Sequence, residues 1–301
     1  MSYTLNLNSV QAEILIEKYQ KYSQPSTNNY TLFRANYKGT TITLYKTHTL
    51  LIQGSKALIT YNEICDLLQI TPEIQKKPKV DYEPQINLSI VGTDEVGTGD
   101  FFGPVVVAGA YVDKAKILDV MKLGVKDSKQ IKDDEIHKIA SELTKLIDYH
   151  IISLDNLKYN YLMASGKYNL NKIKALLHNN VLIKLLNKIE KYDKIIIDAF
   201  TTKDKYFDYI KEQKVIVENV ELEYYAESKH IAVACASILA RSAFLIQLDK
   251  LSKKVGFDLP KGAGHRVDLA ISKILREQSE SVLKMCGKLN FKNIEKAKNN
   301  L

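Results

Sequence analysis

The chain has 301 residues, 45% hydrophobic and 26% charged, enough to bury one large core or two smaller ones. Its 43 basic and 35 acidic residues leave a net charge of +8, which favours an anionic partner without specifying one. Three cysteines (Cys65, Cys235, Cys286) without CxxC spacing argue against a disulfide framework and a zinc site, and fit buried free thiols in a reducing cytoplasm. The N-terminus has no basic region followed by an apolar one, and no apolar stretch is expected to reach the roughly 20 residues that span a bilayer. A cytoplasmic protein with no membrane partner is the expectation.

The first 70 residues predict a small α+β domain. It runs strand (3–7), helix (9–22), three strands (30–37, 41–47, 49–53) and helix (56–69). Ser9 is a candidate N-cap, and Ile14, Leu15 and Tyr19 form an apolar stripe. Lys38-Gly39 and Thr47-His48 fall at hairpin turns. Alternation along the strands puts Phe33, Ala35 and Tyr37 on one face and Leu32, Arg34 and Asn36 on the other. Residues 1–80 hold 9 basic and 5 acidic side chains, so positive charge is denser here than in the rest of the chain. A basic sheet dotted with aromatics suits a nucleic-acid backbone or minor groove, although an ordinary solvated sheet would show the same pattern. Residues 71–87 carry three of the six prolines and no apolar period, which marks a linker.

From residue 88 strands and helices alternate, the pattern of an α/β domain with a central mixed sheet. Strands are expected at 88–92, 105–112, 149–154, 194–198 and 214–220, and helices at 133–147, 171–190, 201–212, 232–250 and 266–278. The first two strands are joined by a loop too short for a crossover, so at least one pairing is antiparallel.

The chemistry concentrates at strand ends. The strand beginning at Leu88 runs into Asp94 and Glu95, followed by glycines at 97, 99 and 103. Neighbouring strand residues face opposite ways, so the two acids share one flat face only if the backbone turns there, which the glycines would permit. A second apolar strand, 194–198, ends in Asp198. If the two strands are neighbours, Asp94 and Asp198 converge where α/β folds place their sites, and such carboxylates repel unless a cation sits among them. Oxygen ligands without His or Cys point to Mg²⁺ or Mn²⁺. A fourth acid is expected among Glu218, Glu221, Glu223 and Glu227. Glu227 is preferred as nearest the following helix; Glu221 and Glu223 look solvated, and Asp100, Asp204 and Asp208 look like surface or capping residues. Four carboxylates and two metal ions suit in-line attack on a phosphodiester. The Gly97-Thr98-Gly99 loop is placed to sense a ribose 2′-hydroxyl, and segments 126–129 and 260–266 offer cations for phosphates. No Gly-Lys-Ser/Thr follows the glycines, which argues against a Walker loop.

Asp94-Glu95-Val96-Gly97-Thr98-Gly99-Asp100-Phe101-Phe102-Gly103-Pro104 resembles the signature of the type 2 ribonucleases H, and within them the bacterial ribonuclease HIII family. Asp127-Ser128-Lys129, Ile197-Asp198, residues 236–241 and Pro260-Lys261-Gly262 follow in the family's order. The resemblance covers the whole chain. It implies a ribonuclease-H-like mixed sheet flanked by helices over 88–301, preceded by a TATA-box-binding-protein-like substrate-binding domain over 1–70. It further implies Mg²⁺- or Mn²⁺-dependent endonucleolytic cleavage of the RNA strand of RNA–DNA hybrids by a monomer, leaving 5′-phosphate and 3′-hydroxyl ends. The catalytic and metal-holding acids map to Asp94, Glu95, Asp198 and Glu227, and substrate contacts to Gly97, Thr98, Gly99, Lys129 and Lys261. Ribonuclease HII, which incises at single ribonucleotides, has Arg or Lys where Thr98 stands and Asp as its fourth acid. Those differences, and the front domain, favour ribonuclease HIII.

Overall fold

The computed structural model describes residues 2–26, 28–70, 87–125 and 131–298. Most of the expected linker, together with Asp127, Ser128 and Lys129, lies outside the described residues. The chain divides into two compact units, Met1–Lys79 and Val80–Leu301, each with its own core.

The first unit runs β1 (Ser2–Asn6), α1 (Ser9–Tyr19), β2 (Thr31–Tyr37), β3 (Thr40–Tyr45), β4 (Thr49–Gly54) and α2 (Ala57–Leu67). The four strands form one antiparallel sheet in the order β1-β4-β3-β2. Asn8 caps α1, not the expected Ser9. Its side chain accepts from the Gln11 amide at 2.9 Å while Gln11 accepts from the Asn8 amide at 3.0 Å, a reciprocal capping box. Lys38 (φ 50°) and Gly39 (φ 81°) form a two-residue hairpin turn whose left-handed angles match the strand twist. Phe33, Ala35, Ile42, Leu44, Leu50 and Ile52 bury one face under Leu15 and Tyr19 of α1 and Tyr61 and Ile64 of α2. Arg34, Asn36, Thr41, Tyr45 and Gln53 occupy the alternate positions and stay exposed or half-buried.

The second unit carries a five-stranded sheet in the order β7-β6-β5-β8-β9. Its strands are β5 (Ile90–Val96), β6 (Val105–Val112), β7 (Asp148–Leu154), β8 (Lys194–Asp198) and β9 (Glu221–Glu223). β5 pairs antiparallel with β6 and parallel with β8, so the sheet is mixed. Its helices are α3 (Ile117–Lys122), α4 (Asp133–Leu146), α5 (Asn156–Ala164), α6 (Leu170–Leu186), α7 (Lys203–Ile210), α8 (Ile231–Val255), α9 (His265–Glu277), α10 (Glu280–Cys286) and α11 (Asn293–Lys298). Helices α3, α10 and α11 escape the sequence pattern because they are too short to show an apolar period, and α5 (NLKYNYLMA) because its apolar residues form no stripe.

The strand expected at 214–220 is absent. Extended chain there is tied to a helix instead of the sheet: buried Asn179 of α6 donates to the Val215 carbonyl and accepts from the Val217 amide. The true edge strand is the three-residue β9 that follows.

Helix α8 lies on one face of the sheet, with α4 beside it, while α6 and α7 cover the other. By length and composition α8 is apolar enough to cross a bilayer, contrary to expectation, but 72% of its most apolar window is buried inside the unit. It is the core helix of this domain. Gly92 lets it lie against β5, since a Cβ there would come within 2.4 Å of the Val233 amide nitrogen and 2.5 Å of the Ala232 carbonyl carbon. Gly109 does the same for α6, where a Cβ would meet Val181 at 2.6 Å. Val181 can yield by side-chain motion; the α8 backbone cannot. We expect Gly92→Ala to destabilise the protein by about 3 kcal/mol, the upper end of overpacking costs. Denaturant unfolding with an unchanged midpoint would count against so close a contact.

Candidate active site

The acid-bearing strand does not turn. β5 stays in regular register with β6 through Asp94↔Ala108, Glu95↔Val107 and Val96↔Val106. Asp94 and Glu95 therefore project to opposite faces of the sheet. Asp94 follows Gly92 onto the α8 face, and Glu95 follows Thr93 onto the α6 face. Parallel pairing of β5 with β8 runs to Thr93↔Ile197, so one residue further on Asp94 and Asp198 stand side by side.

Strand and helix keep pace along this face. Two strand residues rise about 6.6 Å and four helical residues about 6 Å. Gly92 thus meets Val233, and two residues on Asp94 meets Ser237. The Ser237 hydroxyl donates to Glu227 Oε2 at 3.1 Å. Glu227 is buried in a single 3₁₀ turn (Ala226–Ser228), whose first amide donates to Asp198 Oδ1 at 2.8 Å. The four expected acids, Asp94, Glu95, Asp198 and Glu227, line one open cleft of about 510 Å³ with Gly97, Thr98, Gly99, Asp100, Ser237 and Arg241.

Burial, then the charges of Glu95 and Asp198, hold the Asp94 carboxyl well above its ordinary range. Burial would raise Glu95 too, but a hydrogen bond and charge from His178 and the ammonium of Lys174 outweigh it and bring Glu95 below its ordinary value. Among the described residues no three His, Cys, Asp or Glu side chains already surround one point. Glu95 and Asp198 are turned to protein donors. The cleft nonetheless offers carboxylates and no thiol or imidazole, a hard-oxygen set that fits Mg²⁺ or Mn²⁺.

Several expectations need correction. Glu223 is not solvated: it is half-buried and pairs with His230 at 3.1 Å and Lys229 at 3.4 Å. Glu221, by contrast, is exposed as expected, beside Lys194. Asp100 is neither a surface charge nor a helix cap, because its carboxylate accepts from the Gly262 amide. Lys261 sits at Asp133, which also takes Arg241 Nη2 at 2.7 Å.

Asp100 belongs to a clamp around the glycine loop. Phe101 exchanges backbone bonds with Gly262 and Lys288, Gly103 donates to the Cys286 carbonyl, and Asn156 donates to the Gly103 carbonyl at 2.9 Å. Lys288, fully buried, donates from Nζ to the Asp100 carbonyl at 2.8 Å and to that of Gly103. Gly97 (φ 91°) turns the chain where a Cβ would strike the Pro104 carbonyl at 2.1 Å. Lys174, His178, Ser237, Asp133 and Lys288 are site or support residues that motif reading did not assign. Only Lys174 and His178 leave a sequence signal, two bases four apart among the buried positions of α6.

A mixed sheet whose adjacent central strands end in acids, beneath a long buried helix, is a ribonuclease-H-like α/β fold. The family model described as Ribonuclease HII matches residues 91–294, and one for a domain of unknown function (DUF3378) matches residues 3–59. Ribonuclease HIII of Bacillus cereus is 42% identical over 305 residues, covering 98% of this chain and 97% of that protein. Ribonuclease HIII of Bacillus pumilus is 42% identical over 273 residues, covering 89% of each. The crystal structure of Bst-RNase HIII in complex with Mn²⁺ aligns with a TM-score of 0.70 at 37% identity, over 100% of this chain and 99% of that one. The chain belongs to the ribonuclease HIII family and is a ribonuclease H.

Burial pushes the Lys288 ammonium down from 10.5 to about 7, with Asp100 acting in the opposite direction. Between those values the folded chain binds fewer protons at this site than the unfolded chain, so stability rises with pH. We expect a gain of about 2 kcal/mol from pH 7 to pH 9 through this group. Denaturant titrations across that range should lose the gain in Lys288→Met; equal slopes in both proteins would contradict it.

Proposed function

We propose that the chain cleaves the RNA strand of RNA–DNA hybrids with Mg²⁺ or Mn²⁺, leaving 5′-phosphate and 3′-hydroxyl ends. The observation that carries this reading is the pairing of β5 with β8, which sets Asp94 beside Asp198 in a cleft that also holds Glu95, Glu227 and the glycine loop. Asp94, Glu95, Asp198 and Glu227 are the proposed catalytic residues and metal ligands. Two bound divalent ions would supply an activated water and stabilise the departing 3′ oxygen.

The chain's own residues bind and orient. Ser237 fixes the Glu227 carboxylate, and the Ala226 amide fixes that of Asp198. Gly97, Thr98 and Gly99 present a narrow, clamped loop to the ribose, where a 2′-hydroxyl distinguishes RNA from DNA. Gly99 is exposed, with open space where a Cβ would be, so backbone can approach closely. Lys129 and Lys261 are assigned to backbone phosphates. The front sheet, read as TATA-box-binding-protein-like, holds the hybrid through its polar face, and the enzyme works as a cytoplasmic monomer. A second reading, incision at single ribonucleotides in duplex DNA, draws on the Ribonuclease HII family match of the second unit.

Cleavage of continuous hybrid, duplex RNA and a one-ribonucleotide duplex, each with Mg²⁺ and with Mn²⁺, separates the two readings. Hybrid should be cut best; preference for the single ribonucleotide would favour the second. Asp94→Asn and Asp198→Asn should each lose more than about 100-fold in rate, a scale that outer-shell partners of metal ligands already reach. Near wild-type rates would remove the assignment of the acids. Deleting residues 1–80 should weaken hybrid affinity far more than it slows turnover at saturating substrate, and unchanged affinity would remove the role given to the front sheet.

A further inference from the structure

The α6 face of β5 holds a polar cluster that a packing role does not require. Glu95 accepts from Lys174 Nζ on Oε1 at 2.9 Å and bonds His178 Nε2 through Oε2 at 2.9 Å. His178 Nδ1 lies 2.7 Å from the Thr93 hydroxyl, two residues back on the same strand. Lys174 and His178 are one turn apart on α6 and both are buried. Phe200, two residues beyond Asp198, closes the cluster: the Lys174 ammonium lies 4.1 Å from its ring centroid, and the His178 ring stacks on it at 5.2 Å. The Thr93 hydroxyl thus fixes the ring from the side opposite Glu95.

A buried carboxylate with a lysine and a histidine costs desolvation that apolar side chains would avoid, so its presence calls for a use. Glu95 also lines the acid cleft. A carboxylate has about four acceptor directions, and Lys174 and His178 occupy one on each oxygen. The remainder are left for the cleft. Metal ligands are commonly held in this way by outer partners that fix their orientation.

We propose that Lys174 and His178, with Thr93 behind the imidazole, are positioning residues that hold Glu95 in the orientation required to ligate a divalent cation. The inference rests on the acid cleft being the metal site proposed above. The arrangement makes Glu95 a prepared ligand before substrate arrives, and it explains why adjacent acids on one strand serve one cleft from two faces.

The test is calorimetric titration of the full-length protein with Mn²⁺, without nucleic acid, beside thermal melts of the metal-free proteins. Lys174→Met and His178→Ala should weaken Mn²⁺ binding by roughly 10- to 100-fold. The conservative Lys174→Arg and His178→Gln, which keep a donor towards Glu95, should recover most of that loss. Thr93→Val, nearly the same size and leaving the Lys174–Glu95 pair intact, should weaken binding about threefold, below the loss of a direct outer partner. Unchanged or tighter Mn²⁺ binding in folded Lys174→Met and His178→Ala overturns the proposal. If those two fail to fold, Thr93→Val decides: unaltered affinity there overturns it. Asp94→Asn separates the two levels. If that variant binds Mn²⁺ as the wild type does, the metal site itself is wrongly placed; if it loses Mn²⁺ while the α6 variants keep it, only the positioning role fails.

Discussion

The alternation of side chains along one strand governs everything else in the catalytic unit. Asp94 and Glu95 are neighbours in sequence, yet β5 sends them to opposite sides of the sheet. Asp94 enters a crowd of negative charge under α8, and Glu95 enters a pair of bases on α6. The same local motif therefore yields one carboxyl held high by burial and repulsion and another held low by donors. Two adjacent acids with separated proton affinities give a cleft chemical asymmetry before any ion or substrate enters.

That arrangement depends on how closely helices approach the sheet. Gly92 brings α8 to the strand backbone, and the matching rise of strand and helix carries Ser237 to Asp94 and Phe244 to Gly97 and Gly103. At the far end the glycine loop leaves the sheet, where no ladder fixes it. Its hydrogen bonds go to Gly262, Asn156, Cys286 and Lys288 instead. A loop proposed to approach a ribose through its own backbone gains rigidity from three distant segments. The C-terminal residues are thus part of the support of the site.

Much of this was legible in the sequence, for definable reasons. Strands ending in acids, the wide apolar run of α6 and the hairpin at Lys38-Gly39 are local patterns with periods that survive in one dimension. That Glu227 would reach the cleft was legible too, because of the candidates it stands nearest the long apolar helix α8. What was not legible depended on tertiary partners. The strand misplaced at 214–220 is apolar enough for a sheet, but buried Asn179 takes its backbone bonds. The expected backbone turn at Asp94-Glu95 came from requiring both acids to share one face, whereas the cleft lies at the sheet end, where residues from both faces reach it. Asp100, Lys288 and Asp133 carry no local signature, since their partners lie more than 100 residues away. Glu223 looked solvated because alternation says nothing about the His230 that meets it.

The electrostatics of the chain as a whole and of its cleft pull in different directions, and the proposed reaction needs both. The chain carries +8, but its cleft gathers four acids, and the nearby Arg241 and Lys261 are tied to Asp133. A polyanionic strand approaching that cleft meets repulsion at short range and attraction to the basic protein at longer range. Attraction alone would hold the hybrid anywhere on the surface. Divalent ions bound as proposed would offset that negative charge, so metal loading and phosphate docking would reinforce each other. On that reading the geometry of the proposed ligands, Glu95 above all, would bear on substrate engagement as well as on chemistry.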